Sequence, residues 1–255
     1  MSIEVAGLGN ALMDALVPLS SESVLTDLGL TRGHMHPVDN NRWEAVYRSI
    51  DTTEVQTQTG GSCANTIATL GLLGAKAVFC GQVGNDAYGE AYAKSFLDTC
   101  GAHALRVANR GHTGKCLSMI STVDSERTLV THLGAAVDLP HVGEFVQQIR
   151  DARVLHVTGY LLLGGPMRDA AWGAMESARD EGIPISLDVA DPFVVNTARE
   201  DITRALREFA TLAFLNEEEA MALTGMPAEE SAAAVGVETT VIKLGEGGSL
   251  VRHDG

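Results

Sequence analysis

The chain has 255 residues, 45% hydrophobic and 20% charged, enough for a large core in one α/β domain or a domain with a small appendage. Aromatic residues make up only 5%, so that core must be mostly Ala, Val, Leu and Ile. A formal charge of −15 disfavours nucleic-acid backbones and anionic membranes as partners, although a local nest of N–H groups can still hold an anionic ligand.

Taken in chain order, apolar β-type runs alternate with helical patterns. Strands are expected at Ile3–Leu8, Lys76–Gln82, Arg153–Gly159, Pro184–Val189, Thr211–Asn216 and Thr239–Leu244. Helices are expected at Cys63–Leu73, Ala87–Thr99, Met167–Asp180, Asp201–Phe209 and Glu217–Leu223. This alternation predicts βαβ units and a mainly parallel sheet with helices on both faces. Two regions, about 12–58 and 115–133, break the pattern with shorter, more polar strands such as "LMDALVPL", "HMHPVD", "KCLSMIST" and "RTLVTHL". Their alternation without intervening helices predicts a small antiparallel sheet, half exposed. It would project over one edge of the main sheet as a lid, since ligands of open α/β sheets bind at the carboxyl ends of the strands.

Cys63, Cys80, Cys100 and Cys116 are scattered, with no CxxC pair, and read as reduced, mostly buried thiols. The opening "MSIEVAGLGN" has no basic n-region, and no apolar run approaches the ~20 residues of a membrane span. A soluble, cytoplasmic protein is therefore expected.

Several glycine clusters compete for the site. "GLGNAL", Gly7–Leu12, follows a strand but fails the dinucleotide fingerprint at its third glycine, where Leu12 stands. It offers Asn10 and Asp14 instead, and an acid leaving a buried strand can accept one hydrogen bond per oxygen from a vicinal diol. Turn chemistry plus a surface acid is the plainer alternative. "TGGSCAN", Thr59–Asn65, is not a P-loop, and "TGKC" at Thr113–Cys116 lacks the upstream Gly and final hydroxyl. A tight turn at Gly60–Gly61 with Ser62 capping the next helix explains most of it, leaving Asn65 as an amide facing a close backbone approach. In "NEEEA", Asn216 and Glu219 have the spacing of a capping box; carboxylates there could also hold the water shell of Mg²⁺ beside a nucleotide. "KLGEGGS", Lys243–Ser249, is either a glycine hairpin or backbone approaching a nucleotide. His34 and His36 supply two metal ligands with no third in range.

Together these stretches resemble the PfkB, or ribokinase-like, carbohydrate kinases. The resemblance rests on order and spacing: "GNALMD", "GGSCANTIATLGLLGAKAVFCGQVGND", "SLDVADPFVV", "FLNEEEA" and "VIKLGEGGS". Gly60, Gly61 and Asn65 are followed by Gly74 nine residues later and Gly84 ten after that, as in the family's first signature. Cys63 and Ile67 depart from the usual residues there, but Ile67, the opening "GNALMD", the lid stretch "SERTLVTHLGAA" and the "DPF" are similar to the adenosine-kinase-like branch. The resemblance implies a three-layer α/β/α ribokinase-like fold across residues 1–255 with a small antiparallel β lid.

It also implies roles. Asp14 would grip the sugar diol with Asn10 nearby, and Gly60, Gly61, Ser62 and Asn65 would complete that grip. Tyr160 would pack on the substrate base, although Leu161 stands where a second aromatic is common. Arg127 would brace the lid. Asp188, Asn216 and Glu219 would lie toward the phosphates, Glu219 serving Mg²⁺, while Lys243, Gly245 and Gly248 would border ATP. The expected cofactors are ATP and Mg²⁺, with room for a monovalent cation.

The family's second signature, Gly-Ala-Gly-Asp, supplies the anion hole and catalytic base, and no such stretch occurs before Gly255. The base is therefore expected beyond Gly255, in a chain that is C-terminally incomplete. The implied activity is transfer of the γ-phosphoryl of Mg·ATP to a primary hydroxyl of a nucleoside, adenosine first among them, by a monomer or a homodimer through the lid. The rivals are a kinase for free ribose or fructose and a non-catalytic nucleoside- or sugar-binding protein.

Overall fold

All six apolar runs expected as buried strands are strands in the computed structural model, which describes residues 3–19 and 21–254. Met1 and Ser2 of the opening stretch, Ser20 of the first lid segment and Gly255 lie outside the described residues. In chain order the strands are β1 (Ile3–Leu8), β2 (Leu12–Pro18), β3 (Met35–Pro37), β4 (Gln56–Gly60), β5 (Ala77–Val83), β6 (Ala104–Val107) and β7 (Gly114–Ile120). They continue with β8 (Arg127–His132), β9 (Ala152–Thr158), β10 (Ile185–Asp188), β11 (Leu212–Asn216), β12 (Thr239–Lys243) and β13 (Ser249–His253).

The main sheet runs β13-β12-β11-β10-β9-β1-β5-β6, with every neighbouring pair parallel except β12–β13. The chain builds outward from β1 through β5 and β6 on one side, then returns to β9 and builds through β12 on the other. The order thus reverses between β1 and β9, which is where open parallel sheets bind ligands, at the carboxyl ends of the strands. On one face, Leu155, Leu187, Leu215 and Ile242 pack against Met167, Ala170, Ala174 and Met175 of the helix Gly165–Asp180 and against Ala220 and Ala232 further along. Small residues on that helix let it lie close to the sheet, so a core poor in aromatics is still dense. On the other face the helices Ser62–Leu72 and Ala87–Cys100 cover β1 and β5 through Cys63, Ile67, Tyr92 and Phe96.

That second face is not covered throughout. Register carries Gly7, which faces Cys63 and Ile67, across to His156, Ser186, Leu212 and Thr239. The alternate positions Val154, Leu212, Phe214 and Val241 on this side are half-exposed, Val251 of β13 is 61% exposed, and none joins a hydrophobic cluster.

The smaller sheet runs β3-β8-β7-β2-β4, antiparallel at β2–β4 and β7–β8 and parallel at β2–β7 and β3–β8. The expectation of strands without intervening helices in this region is corrected: Ser23–Asp27 and Asn40–Arg48 are helical. Asp39 caps the second by accepting the Arg42 N–H at 2.7 Å, and that helix buries Trp43 and Val46 against Ala15, Val17, Leu117 and Met119. Nine polar-rich residues with two buried side chains give too short a period to read from sequence.

Glycines mark the crossings between the sheets. A Cβ on Gly114 would stand 2.6 Å from the Leu133 carbonyl, and one on Gly134 2.3 Å from the His112 carbonyl. Beside them Asp86 accepts the Thr113 N–H at 2.9 Å and the Thr113 hydroxyl at 2.6 Å. All four cysteines are free thiols, with Cys63, Cys80 and Cys116 buried. Among the described residues no helix is long and apolar enough to cross a membrane.

Candidate active site

Asp14 leaves β1 by way of Gly9 and Asn10 and sits on β2, paired with Gln58 of β4 and Cys116 of β7. Its carboxylate lies directly over Gly60, where a Cβ would be 2.2 Å from Oδ2, so only glycine leaves room for it. Burial raises its pKa from 3.8 to about 6, and the charge of Arg127 works in the opposite direction. No side chain or backbone N–H among the described residues hydrogen-bonds it. Arg127, the first residue of β8, is exposed and reaches Asp14 only through its field.

Gly61 explains the second glycine of the pair. It adopts φ 101°, and a Cβ there would stand 2.3 Å from the Asn10 carbonyl. The helix starts at Ser62 with Gly61 at its cap position and no side-chain cap, so the alternative of Ser62 as the cap is corrected. Ser62 and Asn65 are both exposed in the first turn of this helix, with the Asn65 N–H donated to the Gly61 carbonyl. Asn10 places its side-chain Oδ1 in a buried position without a partner among the described residues. Tyr92, which sequence reasoning passed over, donates its hydroxyl to the Gly60 carbonyl at 2.9 Å and packs on Phe79 and Phe96. The only signal for it was a tyrosine on the apolar face of an expected helix.

A second cluster forms at the carboxyl ends of β10, β11 and β12. Lys243 Nζ is 3.7 Å from Asp188 Oδ1, and Lys243 pairs across the sheet with Asn216. Asn216 and Glu219 make a complete capping box: Glu219 accepts the Asn216 N–H at 2.9 Å and its amide at 2.8 Å, and Asn216 accepts the Glu219 N–H at 2.8 Å. Glu219 is only 2% exposed, and burial is the main cause raising its pKa; Asp188 and Asp191 add to this while the Asn216 N–H and Lys243 oppose it. Asp188 accepts the Ala190 N–H at 3.1 Å, and Ala190 sits at φ 83°, a strained position for a residue with a Cβ.

The structure places Tyr160 in this second cluster. Its hydroxyl reaches Asp191 at 3.4 Å, and burial, then the nearby carboxylates, push its pKa upward. Asp191, the other residue missed, also caps the helix Pro192–Thr197 by accepting the Phe193 N–H at 2.7 Å. Its signal was the Asp-Pro-Phe order, with an acid before a proline that opens a helix.

Gly245 and Gly248 form the turn between β12 and β13 at φ 57° and 88°, with open space where a Cβ would point. They are a glycine hairpin by conformation. His36 Nε2 and His34 Nδ1 bond backbone atoms of Thr31 and Arg32. Among the described residues no three His, Cys, Asp or Glu side chains come together to hold a metal. With its oxygens held by Asn216, Glu219 fits a Mg²⁺ that keeps its waters and arrives on a nucleotide's phosphates, not a cation caged by protein.

A doubly wound parallel sheet, a smaller sheet projecting at its switch point and a carboxylate seated on a Gly-Gly turn define a ribokinase-like protein. The model of the pfkB family of carbohydrate kinases matches residues 34–255, and the chain belongs to that family. Guanosine-inosine kinase of Escherichia coli (strain K12) is 25% identical over 231 residues, covering 87% of this chain and 52% of that protein. Ribokinase of Arabidopsis thaliana is 28% identical over 209 residues, covering 77% and 52%. The chain thus spans about half the length of these curated relatives. The adenosine kinase structure from Sinorhizobium meliloti superposes with a TM-score of 0.90 over 99% of this chain and 78% of its own, at 24% identity, which shows the shared fold.

Proposed function

We propose that the chain belongs to an ATP-dependent phosphotransferase that phosphorylates a primary hydroxyl of a nucleoside, with adenosine as the leading acceptor. The observation that carries this reading is Asp14: a half-buried carboxylate at the switch point, seated on Gly60, with no protein donor among the described residues. Such a group supplies two acceptor oxygens to a vicinal diol, and the desolvated setting strengthens both bonds.

In this reading Asp14 fixes the ribose, and Asn10 offers its unpartnered amide oxygen beside it. Gly61 and Asn65 line the approach. Lys243 presents an ammonium toward the phosphates, while Asp188 and Glu219 orient the water shell of the metal ion. Bound Mg²⁺ supplies neutralisation of the phosphate charge. Holding the sugar and nucleotide on two rigid strand ends makes the encounter of hydroxyl and phosphorus effectively unimolecular.

Calorimetric titration tests the reading. Wild-type protein should bind adenosine, and Asp14→Ala should weaken that binding by about 2–3 kcal/mol while leaving ATP binding intact, because only a hydrogen-bonded charge is lost. Tight binding of ribose with none of adenosine would establish the sugar-kinase reading instead, and unchanged affinity in Asp14→Ala would return Asp14 to a surface acid.

A further inference from the structure

The face of the smaller sheet that carries Asp14 also carries an apolar wall. Side chains alternate along β2 and β7, so Ala15, Val17, Leu117 and Met119 enter the core under the helices Ser23–Asp27 and Asn40–Arg48. Leu12, Asp14, Leu16, Cys116, Ser118 and Ile120 turn the other way. On this second face Leu12, Leu16, Ile120 and Leu129 are half-exposed and join no hydrophobic cluster. Apolar surface left open beside a partnerless carboxylate is the composition of a pocket for a ligand with one polar and one flat apolar part.

Ser118 lies within this wall. It pairs with Leu16 on one side and Leu129 on the other, two residues along β7 from Cys116, the partner of Asp14. That separation is about 7 Å. Ser118 is 4% exposed, and its Oγ has no hydrogen-bond partner among the described residues. Thr131, on the same face, is satisfied by donating to the Cys116 sulfur at 3.3 Å, so Ser118 stands out against its neighbour. A buried hydroxyl left unpartnered is costly, and a ligand seated on this face would supply its partner.

We propose that Ser118 is a specificity-determining residue that hydrogen-bonds the base of a nucleoside whose ribose is held by Asp14, with Leu16 and Leu129 flanking the ring. The inference rests on the diol-binding reading of Asp14. A furanose gripped at Asp14 ends short of a hydroxyl about 7 Å further along the sheet, whereas a base carried on its anomeric carbon extends that far. A neutral hydroxyl between two leucines suits a flat, uncharged ring with one polar edge and disfavours a second sugar or a charged group, which would need more polar partners.

The test is calorimetric titration of the chain with adenosine and with D-ribose, using wild type, Ser118→Ala and Asp14→Ala, with ligand-free melting temperatures alongside. Ser118→Ala should weaken adenosine binding about 5- to 20-fold, the loss of one neutral hydrogen bond, and leave ribose binding unchanged. Its ligand-free melting temperature should not fall, because no internal hydrogen bond is removed; a structural hydroxyl would behave oppositely. If the alanine variant does not fold, Ser118→Thr and Ser118→Val replace it: the threonine should retain adenosine affinity and the valine lose it. Unchanged adenosine affinity on removing the hydroxyl, or equal losses for adenosine and ribose, would overturn the proposal. An effect of Asp14→Ala with none of Ser118→Ala would sink this inference alone. No effect of Asp14→Ala, or no binding of either ligand to wild type, would remove the diol reading and this inference with it.

Discussion

Asp14 is costly to the fold that holds it. Its pKa is raised from 3.8 to about 6, so between those values the folded protein keeps a proton that the unfolded chain has released. Stability therefore falls as pH rises through this window, and the penalty, about 3 kcal/mol, is present in full above it. Asp14→Asn should accordingly raise the ligand-free melting temperature at about pH 8 and change it little at about pH 4. Sugar binding needs the ionised acceptor, so in wild type it should weaken about tenfold per unit as pH falls below the raised pKa. Titrations of affinity and of melting temperature across that range check both; a flat profile would show that Asp14 is solvated like a surface acid. The same residue thus trades stability for a prepared acceptor, which is common at binding sites.

At the scale of elements, the Gly60–Gly61 turn joins β4 to the helix Ser62–Leu72, and its two glycines are required for different reasons. An added Cβ at Gly60 meets the movable end of a side chain, the Asp14 carboxylate. At Gly61 it meets the Asn10 carbonyl, in a conformation at φ 101° that residues with a Cβ rarely adopt. Gly60→Ala should therefore fold, displace Asp14 and abolish sugar binding. Gly61→Ala should destabilise the whole protein by more than about 2 kcal/mol, since backbone cannot step aside. Urea unfolding and adenosine titration on the pair separate these outcomes, and equal stabilities would contradict the assigned contacts. Tyr92, donating to the Gly60 carbonyl, ties this turn to the aromatic cluster beneath it, so the seat of Asp14 is built on the core and not on a free loop.

For the whole molecule, the asymmetry of the main sheet is the dominant feature. One face is packed by helices along its length, and the other is covered over β1 and β5 but open over β11 to β13. Phe214, Val241 and Val251 lie on the open part, and β13 is the edge strand of the described sheet.

Much of this architecture was legible in the residues. Apolar or β-branched runs such as Ile3–Leu8 and Thr239–Lys243 form sheet strands because they are short, rich in β-branched residues and spaced by helical patterns, and Asn216 with Glu219 forms the cap that its spacing dictates. Asp14, Gly60 and Asp188 were nameable for the same reason: acids and glycines at strand ends leave local signals. What the sequence could not decide was company. The short lid helix Asn40–Arg48 exists because Trp43 finds a core contributed by β2 and β7, and Tyr160 joins Asp191 because two βα turns meet at neighbouring strand ends. Ser118 reads as an ordinary strand serine until its register sets it beside Leu16 and Leu129 without a partner. Local chemistry follows from neighbours in the chain, whereas burial and hydrogen-bond satisfaction depend on residues far apart in it, and only the folded sheet brings those together.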